Sequence, residues 1–555
     1  MRRGVSSAVL PPALLAAAAT FIVALAMLLP GLNASPLART EPHRAVPAHE
    51  MVTTGDWAVP RLYGVPYVRK PPLHYWSLAA TEVLSGSTEP WAYRLPSVLS
   101  GALLAAVVAL AAGAWFGAPA AIVGGLACLA IVPLWAQQRS ADVDALNTLF
   151  SIVAALLLLE IGRRLQSPRQ ERKDDGAPAS RSLALAVAAA AALGAALLVK
   201  GPAALTIVGA AAAGAIWLAE GARRRAAGWV GAILVGGTAL LAAWTFVALR
   251  RLAAAGEAFD WSGVAEAADR AGGVSSVAYR AVVPIIALLL ALPLSATLAA
   301  SIDRRYLPCR DRAALRMAMA VALSVLVALL IGIPGGVDNP RYAYIVLPPL
   351  ALLAAAVATA HGRGELGEPQ RRRVRQAGTI AAIGLAAGIV ALVAVNASRG
   401  SAGALSWIAL AGSIVVAPVA VLLWVRRDSG AAALATFGLV FLLAWAFTDQ
   451  RNGVRRVVAS VDAAAELRAL VGDDGPVRSG LWVMTGPELF WYAKIPVEYV
   501  AEGLDASTLP ASGRWAVFHR EEWERLDDRD RERFDRVVEL GVRSRNAIAA
   551  LRGRG

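Results

Sequence analysis

Residues 182–199 read SLALAVAAAAALGAALLV, an apolar run without a charge that ends directly before Lys200. An apolar helix of about 20 residues is long enough to cross the roughly 30 Å hydrocarbon core of a bilayer. Runs of the same kind recur at 10–32, 229–249, 281–300, 313–333 and 406–425. The buried helices of a large soluble protein could imitate one or two of these runs but not the whole series. The sequence therefore predicts a polytopic integral membrane protein.

The charge of the chain is strongly positive, +14 over 555 residues, of which 57% are hydrophobic. A nucleic-acid partner is one interpretation of such a charge. The basic residues, however, stand in short clusters between the apolar runs, which is the positive-inside pattern of membrane proteins. We therefore expect membrane lipids, and no nucleic acid, among the partners.

The arginine clusters predict which side of the membrane each loop faces. With Arg2 and Arg3 in the cytoplasm and sides alternating thereafter, every later dense cluster falls on that same side. Only the pair Arg250-Arg251 falls outside. An uncleaved first helix fits the N-terminus better than a signal peptide, because its apolar stretch is long and many spans follow it. The pattern requires about 13 spans, near 10–32, 95–115, 119–136, 145–162, 182–199, 202–219, 229–249, 281–300, 313–334, 341–360, 377–396, 404–425 and 430–447.

The chain divides into a transmembrane domain, residues 1–447, and an extracytoplasmic domain, residues 448–555. The second part is charged and contains no spanning run. Short apolar segments such as Trp515–Phe518 alternate there with segments of helical pattern, Ala463–Leu470 and Glu521–Leu540, which is typical of a small α/β domain. The predicted fold class is an all-α polytopic bundle with a small α/β C-terminal domain outside the membrane.

The outer loop 33–94 mixes acidic, basic and aromatic side chains at the membrane surface. Such a mixture suits an anionic lipid headgroup that bears a polar cargo: cations bind phosphate, carboxylates bind hydroxyls, and rings pack on sugar faces. The alternative is an interfacial aromatic belt with solvated charges. The candidate residues are Glu41, Arg44, Asp56, Trp57, Arg61 and Tyr75.

Lysine is rare in this chain, with only four residues against many arginines. Lys70 and Lys200 stand directly before proline or Gly-Pro in predicted outward turns. A compact ammonium retained at two facing turns indicates phosphate contact, and chance placement is the alternative.

Further polar residues sit at the predicted outer ends of spans. Charges there often only snorkel to the interface or mark topology. The histidines lack metal-type spacing, and Cys128 and Cys309 are expected in different compartments, so we predict neither a disulfide nor a metal site of this kind. The outward candidates are Arg94, Arg139, Asp142, Asp144, Arg341 and Tyr342.

Several short sequence strings resemble the polytopic lipid-linked sugar transferases. They agree in their order along the chain and in the side of the membrane on which they are predicted to lie. That family is typified by the bacterial aminoarabinose transferase of lipid A, with the protein O-mannosyltransferases as more distant relatives. The resemblance covers roughly residues 1–360. The strings are Arg44-Ala45 through Glu50-Met51, Gly55-Asp56-Trp57, Pro60-Arg61-Leu62, Lys70-Pro71-Pro72, Tyr75-Trp76, Arg94-Leu95-Pro96-Ser97, the stretch from Arg139 to Asp144, Lys200-Gly201-Pro202 and Pro340-Arg341-Tyr342.

The resemblance implies a C-type glycosyltransferase fold in the bacterial cytoplasmic (inner) membrane. It implies transfer of a sugar, with inversion, from a polyprenyl-phosphate donor to a glycolipid or protein acceptor on the outer face. Lys70, Lys200, Arg139 and Arg341 are then the donor phosphate-binding candidates. Arg44, Asp56, Trp57, Arg61, Tyr75, Arg94 and Tyr342 are the candidates for substrate contact.

Two positions depart from the family pattern. The family has an Asp-Glu pair at the head of the first outer loop, and this chain has Thr40-Glu41. Glu41 is then the candidate base, alone or with Asp142 or Asp144, since a partly buried carboxylate suits that task. The residue before the Lys-Pro-Pro lysine, often acidic and linked to a metal in the family, is Arg69. We therefore do not predict a metal site or another cofactor from the resemblance, and dependence on a divalent metal stays open.

Two other classes of protein remain alternatives. A lipid or solute transporter would be expected to show inverted repeats and charges near the middle of the bilayer, whereas the ionisable residues here cluster at the outer ends. A scaffold or polymer-assembly subunit without catalysis is the other alternative.

Overall fold

The computed structural model describes most of the chain. The described ranges are 11–166, 178–259, 312–331, 344–398, 404–425, 455–480, 486–500, 503–542 and 545–552, with the isolated residues 438, 440, 442 and 483.

The first 425 residues are almost entirely helical where they are described. Six helical stretches there are long and apolar enough to cross a membrane, and four shorter apolar helices accompany them. The chain is a multi-pass membrane protein on this evidence, and the predicted number of 13 spans stays a prediction. In chain order the helices are α1 (Pro12–Leu28), α2 (Pro42–Thr54), α3 (Leu73–Ser85), α4 (Pro90–Phe116), α5 (Ala118–Leu129), α6 (Val132–Gln138), α7 (Val143–Gln166), α8 (Pro178–Lys200), α9 (Leu205–Leu218), α10 (Arg223–Ala254), α11 (Arg312–Ile331), α12 (Pro348–Gly362), α13 (Glu368–Ser398) and α14 (Ala404–Val425).

Small residues allow the central helices to pack closely. A methyl group added at Gly162 of α7 would lie 2.5 Å from the carbonyl oxygen of Ala215 in α9. One added at Gly237 of α10 would lie 2.7 Å from the side chain of Leu193 in α8. Transmembrane helices associate through such small-residue contacts because lipid offers no hydrophobic driving force between them.

Polar side chains separate to the two ends of this bundle. At one end Arg163 and Arg164 both donate to Glu160, and Arg363 donates to the carbonyl of Phe116. At the other end, where α7 begins and α8 ends, lie Asp144 and Lys200. The predicted separation of Arg163-Arg164 from the acidic and lysine candidates is therefore present in the fold.

Two predicted spans differ in detail from the observed helices. The run 119–136 is not one helix: α5 ends at Leu129, and α6 begins at Val132 with a proline in its first turn. Proline lacks an N–H and restricts the residue before it, which favours the start of a new helix, with Pro133 in the first turn of α6, over continuation of α5. The turn predicted around Lys200 is present as a short 3-10 segment, Gly201–Ala204, and Gly201 opens it with a φ of 69°. The spans 281–300 and 430–447 lie wholly or almost wholly outside the described residues.

The segment 33–94, which the sequence predicts to face outward, is a folded unit. Helices α2 and α3 pack on each other, and between them β1 (Arg61–Leu62) pairs with β2 (Val65–Pro66) in an antiparallel hairpin. Its two turn residues, Tyr63 and Gly64, have φ values of 52° and 79°. Two successive positive φ values match the twist of a two-residue hairpin. Glycine adopts that conformation freely, whereas Tyr63 does not.

The C-terminal part contains a five-stranded mixed sheet, as the predicted α/β domain requires. The strand order is β4-β3-β5-β7-β6, with β3 parallel to β4 and β5 and with β7 antiparallel to β5 and β6. Its elements are α15 (Arg455–Val471), β3 (Val477–Ser479), α16 (Glu488–Ala493), β4 (Val497–Tyr499), β5 (Trp515–His519), α17 (Arg520–Arg525), α18 (Asp528–Arg531), β6 (Phe534–Val542) and β7 (Arg545–Arg552).

Two of the three segment predictions for this domain are confirmed and one is partly wrong. Trp515–Phe518 lies in β5 and Ala463–Leu470 lies in α15. The segment Glu521–Leu540 is helical only in α17 and α18. The backbone is extended at Leu526, Asp527 caps a new helix, and the rest joins the sheet as β6. Pairing with β7 thus overrides the local helical pattern.

Candidate functional site

Lys70 lies between β2 and α3, at the end of the bundle where α7 begins. Its ammonium is half-buried and has the cations Arg44 and Lys200 and the carboxylates Asp142 and Asp144 around it. Burial, together with Arg44 and Lys200, lowers the pKa of Lys70 to about 8. Among the described residues Lys70 has no hydrogen bond and no ion pair. It is a partly dehydrated cation beside two others, an arrangement that attracts an anion.

Lys200 and Asp144 form a buried ion pair across the helix ends. The Lys200 ammonium donates to Asp144 Oδ1. Asp144 lies in the first turn of α7, where the helix dipole favours a negative charge. Because the pair joins the end of α8 to the start of α7, it fixes the position of one cation next to Lys70.

Arg44 and Asp142 form the second charged pair at this site. Arg44 Nη1 donates to the hydroxyl of fully buried Tyr75 at 3.2 Å, and Arg44 Nε lies 3.8 Å from Asp142 Oδ1. Arg44 Nε itself is buried without a hydrogen-bond partner among the described residues. Asp142 accepts from the Thr40 hydroxyl at 2.9 Å and from the backbone N–H of Val143 at 2.8 Å. Thr40, at the position where the family has aspartate, therefore contacts one of the other acid candidates.

His74 is a residue that the sequence reasoning missed. It is fully buried at the start of α3, and burial together with nearby Arg44 lowers its pKa to about 4, despite Asp142. The ring is therefore neutral at physiological pH. The signal in the sequence was its place between Lys70-Pro71-Pro72 and Tyr75, but a lone histidine there has no metal-type spacing.

The carboxylate of Glu41 accepts more hydrogen bonds than a carboxylate that is free to act as a base. It accepts from Arg94 Nε and Nη2, both at 2.8 Å, and from the backbone N–H groups of Ala38 at 2.9 Å and Ala141 at 3.0 Å. Burial raises the pKa of Glu41, but the charge and hydrogen bonds of Arg94 outweigh it, so the pKa lies below its usual value. Both oxygens are occupied, and neither is directed at the space beside Lys70 as a free acceptor.

The guanidinium groups of Arg94 and Arg139 both donate hydrogen bonds to backbone carbonyls. Arg94 donates to the carbonyls of Leu32, Ser35 and Pro36 at 2.6, 2.8 and 2.9 Å, in addition to its bonds with Glu41. Arg139 donates to the carbonyls of Leu28 and Pro30, both at 2.5 Å. These guanidinium groups tie the end of α1 to the starts of α4 and α7. These two bonds of Arg139 are to backbone at the end of α1 and not to Lys70.

Asp56, Trp57 and Arg61 form a separate group at the end of α10. Arg61 makes a two-fold contact with Glu257 at 2.8 and 2.7 Å, and Asp56 Oδ1 accepts from the N–H of Ala58. The side chain of Trp57 is 41% exposed. These residues attach the outer segment to α10, and none of them contacts Lys70 or Asp142.

Arg61→Gln is accordingly expected to leave the activity of the protein within about threefold of wild type, because a partly exposed ion pair contributes only about 0–1 kcal/mol. Turnover of the purified variant in nanodiscs would measure this. A drop of a hundredfold would instead place Arg61 at the reaction centre.

Arg341 and Tyr342 lie outside the described residues. Tyr344, which follows them, lies within electrostatic reach of Asp144. No group of three or more His, Cys, Asp or Glu within the described ranges is arranged to hold a metal ion.

Parts of the chain are similar in sequence to known proteins. Residues 48–255 match the family described as dolichyl-phosphate-mannose-protein mannosyltransferase. A stretch of 104 residues is 32% identical to the undecaprenyl phosphate-alpha-4-amino-4-deoxy-L-arabinose arabinosyl transferase of Aeromonas salmonicida. That match spans 19% of this chain and 19% of the relative.

The fold is similar to that of crystal structures of ArnT from Cupriavidus metallidurans over nearly the whole chain. The apo structure aligns with a TM-score of 0.68 at 19% identity, over 96% of this chain and 97% of that one. The structure bound to undecaprenyl phosphate aligns with the same TM-score at 21% identity and the same coverage. The C-type glycosyltransferase fold expected from the sequence is therefore present.

Proposed function

We propose that this protein is a membrane glycosyltransferase that moves a sugar from a polyprenyl-phosphate donor to a glycolipid or protein acceptor. One observation carries the proposal: a half-buried lysine without an ion-pair partner among the described residues, beside two further cations and two carboxylates, at one end of an apolar bundle. A lipid phosphate needs cations at the end of an apolar surface that can hold its tail, and this end of the bundle has both.

The roles follow from the contacts of each group. Lys70, with Arg44 and Lys200 beside it, binds the donor phosphate and stabilises the charge of the leaving group. The acceptor hydroxyl attacks the anomeric carbon from the opposite side, the bond between that carbon and the phosphate oxygen breaks, and polyprenyl phosphate leaves. The hydroxyl proton passes to a carboxylate, and the sugar is transferred with inversion.

Asp142 is our candidate for that carboxylate. Asp144 is paired with Lys200, and Glu41 is saturated by four hydrogen bonds. Asp142 accepts hydrogen bonds from a threonine hydroxyl and a backbone N–H, and it lies beside both Lys70 and Arg44. Glu41 then acts as a positioning residue. We further propose that this end of the bundle, with the C-terminal domain, faces outward from the bacterial inner membrane.

Asp142→Asn is expected to lower turnover by about 100-fold or more, the usual loss when a general base is removed. The assay uses purified protein in nanodiscs, a labelled polyprenyl-phosphate sugar and extracted outer-face glycolipids and glycoproteins as acceptors. Asp462→Asn, the same change at an exposed position of α15, is the matched control. Equal turnover in the two variants would remove Asp142 from the role of base.

A flux assay separates the transferase from the transporter alternative. Sealed vesicles that contain the protein and labelled donor, but no acceptor, should keep the label attached to the prenyl lipid and on its original side. Movement of the intact lipid or of a free solute would favour a transporter.

A further inference from the structure

Helix α16 of the C-terminal domain contacts the backbone segment that leads into Thr40 and Glu41. The N–H of Leu37 donates to the hydroxyl of Tyr492. Leu37 and Ala141 belong to one small buried cluster, and Trp491 and Tyr492 pack directly against it. That cluster thus includes one residue of the segment before Thr40 and the residue directly before Asp142.

The same segment is held from the bundle side by Arg94. Its guanidinium binds the carbonyls of Leu32, Ser35 and Pro36 and the carboxylate of Glu41. Between these contacts the backbone at Arg39 has a φ of 59°, a left-handed conformation that a non-glycine residue adopts only when its surroundings impose it. The segment therefore depends on contacts at both of its ends.

Other contacts fix α16 on the outer segment. Tyr63, the strained residue of the hairpin, donates its hydroxyl to the carbonyl of Pro487 at 2.8 Å. The ring of Trp491 meets His49 edge-on, with centroids 5.5 Å apart, and meets Tyr93 at 5.8 Å. His49 and Tyr93 both hydrogen-bond to the buried carboxylate of Glu82 at 2.7 Å. The helix is consequently anchored on two sides of Tyr492.

We propose that Tyr492 is a positioning residue: its bond to Leu37 holds the backbone so that the Thr40 hydroxyl meets Asp142. The C-terminal domain is then a part of the catalytic unit, because it supplies one of the supports of the carboxylate that takes the acceptor proton. The kinetic consequence of this inference rests on the proposed transferase function. The structural link between Tyr492 and residues 37–41 does not.

The test compares Tyr492→Phe with Tyr499→Phe, which removes the same hydroxyl from β4 of the same domain. Tyr492→Phe keeps the ring and its packing and removes only the acceptor of the Leu37 N–H. We expect kcat to fall about tenfold, because even a small displacement of a catalytic group has a large effect on the rate. The KM for the polyprenyl-phosphate donor should stay within about twofold, since Lys70, Arg44 and Lys200 are untouched. Tyr499→Phe should match wild type in both constants.

Hydrogen exchange supplies a readout that does not require turnover. In Tyr492→Phe the amides of residues 37–41 should exchange at least about tenfold faster, whereas those of the hairpin 61–66 should exchange as in wild type. Unchanged protection at 37–41 would overturn the inference. Faster exchange without any sugar transfer by the wild type would leave the positioning link in place and reject the proposed function.

Discussion

Replacing Lys70 with methionine is expected to reduce sugar transfer from a polyprenyl-phosphate donor by at least about 100-fold, the usual loss when one group that stabilises developing negative charge is removed. Thermal stability should stay at or above the wild-type value. The lowered pKa of Lys70 means that the folded protein disfavours its charge, since burial and the neighbours Arg44 and Lys200 oppose it. An apolar side chain of similar length removes this cost. Loss of activity without loss of stability is therefore the signature of a binding cation.

The matched control for this change is Lys494→Met. Lys494 is exposed in the C-terminal domain, so the same loss of charge occurs away from the cluster. Lys70→Arg should retain part of the activity, because a guanidinium also binds phosphate but does not fit the place of a compact ammonium. If Lys70→Met and Lys494→Met transferred sugar equally well, the phosphate site would have to lie elsewhere.

The pH dependence of transfer provides a second test of Lys70. With a pKa of about 8, the free enzyme loses the ammonium as the pH rises through that value. The ratio kcat/KM reports groups of the free enzyme, so it should fall above about pH 8. In Lys70→Arg this alkaline limb should disappear, because the pKa of arginine lies far above this range and the side chain stays charged.

Glu41→Gln is expected to lower the free energy of unfolding by about 3–5 kcal/mol, the cost of removing one partner of a buried ion pair. Glutamine offers only one acceptor oxygen, while four N–H groups from Arg94, Ala38 and Ala141 converge on the native carboxylate. Its amide N–H groups would face these donors, and Arg94 would stay buried without a counter-charge. Activity should fall together with Tm.

Thermal unfolding in detergent, with Glu466→Gln in α15 as the exposed control, measures this effect. The result also separates two roles for Glu41. Replacing a catalytic base would lower turnover and leave Tm unchanged, whereas replacing a positioning residue would lower both turnover and Tm. An unchanged Tm in Glu41→Gln would return Glu41 to the role of base.

The helices of the bundle were predictable because their apolar runs are long. The runs 182–199 and 404–425 coincide with α8 and α14 to within a few residues. The break between α5 and α6 was signalled by Pro133, but its effect was masked by the apolar residues on both sides of it. The strand β6 was missed for a different reason. Its local pattern is helical, and only pairing with β7 makes it a strand.

The sequence predicted which residues belong to the candidate site, but not which of them contact one another. Glu41, Arg44, Lys70, Asp142, Asp144 and Lys200 were all singled out, and the fold brings all six to one end of the bundle. The separation of Asp56, Trp57 and Arg61 from them could not be read from spacing, because the partner of Arg61 is Glu257, almost 200 positions away in the chain. His74 and Tyr492 gave no signal by their residue type.

The amino-acid sequence alone determined that this chain crosses a membrane many times and which polar residues gather at one end of the bundle. These properties follow from hydropathy and charge, which act on each segment independently of its neighbours in space. Only the tertiary structure decided which carboxylate is saturated and which cation has no partner among the described residues. Glu41 and Asp142 are the same kind of group in the sequence. They differ in their surroundings: four donors from three separate segments converge on the first, whereas the second accepts from the Thr40 hydroxyl and lies beside Arg44 and Lys70.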